Sequence, residues 1–125
     1  MKNIFFTLAF FFFINYSFCQ MSDGYYVYKN AELTISFKIQ NGGWDINNIV
    51  LTNNKTGNKV YGSGYWHKVN TNGVDDDYSG PGGWYEFQTS NCNYSFDESY
   101  TKIVLEKYDC KSNSADRSYN LLRAN

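Results

Sequence analysis

The densest run of oxygen-bearing side chains is Asp75 to Glu86, Asp-Asp-Asp-Tyr-Ser-Gly-Pro-Gly-Gly-Trp-Tyr-Glu. Counted from Asp75, it places Asp77 at position 3, Ser79 at 5, Gly80 at 6, the Pro81 carbonyl at 7 and Glu86 at 12. A hard cation binds several oxygens at such intervals, with a glycine permitting the sharp turn and a final bidentate carboxylate. Asp75, Asp77, Ser79, Pro81 and Glu86 are therefore a candidate calcium set. A cation would also relieve the repulsion among Asp75, Asp76 and Asp77. The plainer reading, a solvated acidic turn between two strands assisted by Gly and Pro, is the stronger of the two.

Over these twelve residues alone the segment resembles an EF-hand-type loop. It departs from that pattern at Gly82, which occupies position 8, where an apolar residue normally ties the loop to the core. The flanks also read as strands rather than helices.

His67 is the only histidine, so any imidazole-based metal or nucleophile system would have to use it. No Gly-x-Ser-x-Gly elbow, His-Glu-x-x-His pair or phosphate-cradling loop accompanies it. His67 is expected to be a strand residue facing solvent or a sheet margin. Asp45, Glu86 and Glu106 could serve a carboxylate-dependent hydrolase, although no spacing selects them. Tyr61, Tyr65, Trp66, Tyr78, Trp84 and Tyr85 cluster around the acidic loop in sequence. Flat rings beside Asn, Asp and Gly suit a sugar or a peptide, which makes Tyr65, Trp66, Tyr78 and Trp84 the candidate ligand-binding set. If Trp84 and Glu86 point outward, Tyr85 and Phe87 belong to the core.

The start of the chain sets the chemistry of the cysteines. Met1-Lys2-Asn3 is followed by an apolar run from Ile4 to Ile14, and then by Ser17-Phe18-Cys19. This pattern predicts a secretory signal peptide over residues 1–19, leaving a single β domain over 20–125. A lipid anchor at Cys19 is the alternative, disfavoured by the bulky Phe18. Secretion or periplasmic residence is thus expected, with no transmembrane segment in the mature chain. Cys92 and Cys110 then lie in an oxidising compartment, where a disulfide is the default and Cys-His catalysis has no free thiol. Loss of Lys2 leaves ten basic against twelve acidic residues. With no basic run, nucleic acid is excluded as a partner.

Strand patterns position these groups. Alternation is clearest at 32–39, where Leu33, Ile35, Phe37 and Ile39 share a face. Further strands are predicted at 24–29, 44–52, 58–69, 84–90, 92–97, 101–109 and 117–122. Trp44 and Ile46 have one parity while Ile49 and Leu51 have the other, which predicts a bulge near Asn47-Asn48. Gly62 and Gly64 predict a bend or close backbone packing. A tight turn at Glu98-Ser99 would leave Cys110 too far from Cys92 for a bridge. A wider loop over 99–103 is therefore expected, pairing Tyr94 with Tyr108 and Cys92 with Cys110.

Eight short strands in about 106 residues predict an all-β fold, a small antiparallel β-sandwich first and a small β-barrel as the alternative. The expected function is a binding module for a glycan or an envelope or extracellular protein. A small hydrolase is one alternative. A structural or inhibitory protein whose strand edges pair with another chain is the other.

Overall fold

Leu33, Ile35, Phe37 and Ile39 do define a buried face, on the strand Leu33–Gln40. Seven further strands share this inward and outward division, with a break in the alternation in the third strand of the chain. The computed structural model describes residues 21–68, 83–97 and 100–124. Its strands are β1 (Gly24–Lys29), β2 (Leu33–Gln40), β3 (Asp45–Asn53), β4 (Lys59–Lys68), β5 (Gly83–Gln88), β6 (Asn93–Phe96), β7 (Lys102–Tyr108) and β8 (Arg117–Ala124). Each pairs antiparallel with the next, and β8 returns to β1 through Val27, Tyr28 and Lys29. The result is a closed up-and-down barrel, the second of the two expected architectures, rather than a sandwich.

Closure needs curvature, and the irregularities that supply it sit in β3 and β4. The register of β3 slips between Ile46 and Ile49, with Asn48 at φ 53°. This is the bulge that the parity change predicts. It lets Ile46 and Ile49 both face inward despite their odd spacing. The same extra residue shifts the register against β2, where Ser36 and Lys38 face Val50 and Asn47. Bulges bend and twist a strand, the deformation a flat sheet requires before it can close.

On β4 the inward positions are Gly62, Gly64 and Trp66. A Cβ on Gly64 would lie 1.8 Å from the Glu86 carbonyl oxygen and 2.6 Å from Phe87 Cβ. The glycine lets β4 press against β5, with Phe87 filling the interior in its place. Beyond β4, Trp44 lies outside the strand pattern and is exposed, so it does not share the inward face of Ile46.

The interior is an aromatic stack. Trp66 meets Tyr85 edge-on at 4.8 Å between ring centroids, Tyr85 stacks on Phe96 at 5.3 Å, and Phe96 contacts Phe37 at 5.3 Å. Phe87 lies parallel to Tyr94 at 5.0 Å. The Tyr85 hydroxyl accepts from the Met21 N–H (3.0 Å) and donates to the Gly43 carbonyl (2.8 Å). It thus ties the segment before β1 and the β2–β3 turn to the core. Asp23 adds hydrogen bonds from the Gly42 and Gly43 amides.

Cys92 and Cys110 are bonded, with Cα atoms 4.0 Å apart. The register of β6 on β7 is one residue away from the expected one: Asn93 faces Tyr108 and Tyr94 faces Lys107. The expected register would have turned inward-facing Phe96 onto Glu106, whereas the observed one keeps Phe96 and Leu105 on the same buried side. A one-residue slip exchanges the two faces of a strand, so burial fixes the register. The cysteines still meet because Asp109, at φ 49°, adds a left-handed step after β7. Among the described residues, no helix is long and apolar enough to cross a membrane.

Candidate functional site

The alternation that sends Trp66, Tyr85, Phe87 and Tyr94 inward sends their neighbours outward. β4 then presents Ser63, Tyr65 and His67; β5 presents Trp84, Glu86 and Gln88; β6 presents Asn93 and Ser95; and β7 presents Glu106 and Tyr108. Strand pairing sets them in cross-strand rows. One row runs Asp45, Tyr65, Glu86, Ser95, Glu106 and Ser118 across the outer wall. In the row above it His67 faces Trp84. In the row below, Ser63 faces Gln88, which faces Asn93, which faces Tyr108.

These rows enclose a surface groove of about 490 Å³ over β3 to β7, lined by Asp45, Asn47, Ser63, Tyr65, Glu86, Gln88, Asn93 and Tyr108 among others. Its centre is Glu86. Trp84 Nε1–H donates to Glu86 Oε1 at 2.7 Å, and the Tyr65 hydroxyl donates to Oε2 at 3.4 Å. His67 Nδ1 lies 3.7 Å from the same Oε2. The His67 ring stacks on Trp84 at 4.7 Å and is tilted against Tyr65 at 5.9 Å. Burial, then the charges of Glu86 and Asp109, hold the Tyr108 hydroxyl above the ordinary tyrosine range, against a lowering hydrogen bond from Ser95. Asp45 accepts from the Asn41 side-chain amide.

The wall therefore combines ring faces with fixed acceptors. Tyr65 is half exposed at 51 %, and Trp84 is half buried with its ring orientation set by Glu86. A carboxylate that accepts from an indole and a phenol is a positioning group, held in place before any ligand arrives.

Of the four residues expected on one ligand face, Tyr65 and Trp84 lie on the same outer face of the wall. Trp66 does not: it is 5 % exposed and points into the barrel. With Gly62 and Gly64 as its same-face neighbours, the sequence offered no apolar alternation to fix its side. Tyr78 lies outside the described residues, as do Asp75, Asp77, Ser79 and Pro81 of the calcium set. Glu86, the last member of that set, lies within β5 with both oxygens engaged by Trp84 and Tyr65. Of the hydrolase carboxylates, Asp45 and Glu86 flank Tyr65 in the groove. Glu106 lies further along the row, accepting from Ser118.

His67 lies on the outer face one residue from the end of β4, the margin position expected of it, and is half buried inside the cluster. Tyr108, Asn47, Gln88 and Asn93 escaped the sequence reading. Strand parity carried the signal for each of them, but combining the parities required the strand order and register. Closure gives every strand a neighbour on both sides, with Lys59–Tyr61 of β4 running past its pairing with β5 and Gly24–Tyr26 of β1 past its pairing with β8. No known protein family, curated protein or solved structure matches the chain.

Proposed function

We propose that this chain is an exported saccharide-binding barrel, with the groove around Glu86 as its site. The observation that carries the reading is the pairing of ring faces with oriented hydrogen-bonding groups in one surface depression. Tyr65 and Tyr108 in the groove, and Trp84 beside it on Glu86, offer apolar planes on which the C–H face of a sugar ring can pack. Asp45, Asn47, Gln88 and Asn93 offer acceptors and donors for its hydroxyls. Export rests on the leader-like start of the chain and agrees with the bonded cysteine pair, since such bonds persist in oxidising compartments. Binding is preferred over hydrolysis because Glu86 is anchored by Trp84 and Tyr65, and Tyr65 stands between it and Asp45 in the row.

The test is a panel of immobilised neutral, acidic and amine-bearing oligosaccharides, probed with the native protein and with Trp84→Ala. Removal of a stacking ring should weaken retention by tenfold or more, about 1.4 kcal/mol, while the circular dichroism of the barrel is unchanged. Retention of a saccharide with undiminished affinity by Trp84→Ala would place the site elsewhere. Binding of an extracellular protein in place of every saccharide would favour the partner reading.

A further inference from the structure

The charge of the groove narrows the choice of ligand more than its shape does, and selection by charge rests on the saccharide-site reading. Among the described residues, the groove lining includes two carboxylates, Asp45 and Glu86, and no Lys or Arg. Among the described residues, the basic group that pairs with Glu86 is His67, at 3.7 Å, and no Lys or Arg forms an ion pair with Asp45. Burial, and after it the charges of Glu86 and Asp109, raise the Tyr108 hydroxyl above the ordinary tyrosine range. Tyr65 and Tyr108 line the groove beside the carboxylates, and electron-rich ring faces attract cations. A uronate or sulfated sugar entering this groove would meet like charge, with no Lys or Arg among the described lining residues to compensate it.

We propose that the groove selects a saccharide carrying a free amine, a glucosamine-type unit, over its acetylated and acidic counterparts. The ammonium is placed by Asp45, with the anchored Glu86 across Tyr65 adding to the negative field, while the pyranose ring packs on Trp84 or Tyr65. Acetylation removes the charge, and the site then retains only the stacking and hydroxyl contacts.

Three probes separate the possibilities by calorimetry with the full chain: a β-1,4-linked glucosamine tetramer, its fully N-acetylated equivalent, and a galacturonate tetramer. Expected is at least a tenfold preference for the amine-bearing tetramer over the acetylated one, diminishing as salt is raised, with no binding of the galacturonate. Asp45→Asn should bring the ratio of the first two close to one. Glu32→Gln removes an equal charge at the far end of β2, where Glu32 pairs with Arg117, and should leave the ratio unchanged. That control distinguishes a placed ammonium from general attraction of a polycation to an acidic protein.

Equal or tighter binding of the acetylated or acidic tetramer, still lost in Trp84→Ala, would overturn amine selection and leave the saccharide site standing. A ratio that falls equally in Glu32→Gln would also overturn amine selection. If none of the three tetramers binds, amine selection fails; if the wider saccharide panel is also silent, the saccharide reading fails with it.

Discussion

Replacing Tyr85 with Phe removes one oxygen from the fully buried centre of the barrel and leaves every ring contact in place. That oxygen accepts from Met21 N–H at 3.0 Å and donates to the Gly43 carbonyl at 2.8 Å. Met21 is itself buried at 1 % exposure, so neither group gains water in exchange. Each lost bond costs about 1 kcal/mol net, and leaving its partner buried and unpaired raises that, for a total of about 2–4 kcal/mol. A domain of this size unfolds with an entropy near 2.1 cal/mol/K per residue, so about 1 kcal/mol corresponds to roughly 4–5 °C. The expected fall in Tm is therefore roughly 10–18 °C. Urea denaturation and thermal melting of native and Tyr85→Phe protein measure it. Hydrogen exchange should quicken first in the segment 21–24 and the turn 41–44. A loss below about 0.5 kcal/mol, the range of an ordinary surface change, would refute the claim that this hydroxyl fastens both segments to the core.

Further predictions concern the wall, the bridge and the tyrosines. Gly64→Ala places a methyl 1.8 Å from the Glu86 carbonyl oxygen, against backbone that cannot yield cheaply. It should cost about 3 kcal/mol or prevent folding, whereas the outward Ser63→Ala should stay within about 0.5 kcal/mol on the same urea melts. Replacing Cys92 and Cys110 together by Ser opens a loop with a sequence separation of 18. The expected loss is about 3 kcal/mol, and a double variant as stable as the native protein would contradict it. Burial raises the Tyr94 and Tyr108 hydroxyls above their ordinary value. The folded chain therefore holds protons that the unfolded chain releases near pH ~10. Their contribution is complete below that pH and is lost as pH rises through the raised folded values. Denaturation midpoints should fall on the alkaline side, less so in Tyr94→Phe; midpoints that rise there would contradict the burial argument.

The parts of the fold written in the sequence are those that depend on local alternation. β2 is legible because a strict period of two survives from Leu33 to Ile39, and the β3 bulge is legible because Ile46 and Ile49 cannot otherwise share a face. Closure is not legible, because the pairing of β8 with β1 depends on curvature summed over bulges and glycines in several strands. Trp66 was misplaced for the converse reason: a strand reading Gly62, Gly64 and Trp66 on one side and Ser63, Tyr65 and His67 on the other carries aromatics on both faces. The cysteine pairing was legible from compartment and distance, but the register was not. Distance alone could not anticipate the left-handed Asp109, which brings Cys110 to Cys92 without the pairing of Tyr94 with Tyr108. The groove was half legible. Trp84, Tyr65 and Glu86 were singled out in sequence, while Tyr108 and Asn93 required the register to bring them opposite Gln88 and Ser63.

The central claim is that ligand meets the protein on the outer wall beside Glu86 and not inside the aromatic-filled barrel. Trp84 and Trp66 report on the two locations, since the indole N–H of Trp84 is bonded to Glu86 at 2.7 Å while Trp66 packs on Tyr85 in the interior. Titration of 15N-labelled protein with the saccharide that binds most tightly should therefore shift the Trp84 indole resonance progressively, with that of Trp66 nearly stationary. A stationary Trp84 signal alongside a moving Trp66 signal, or saturation without change in either, would contradict the account.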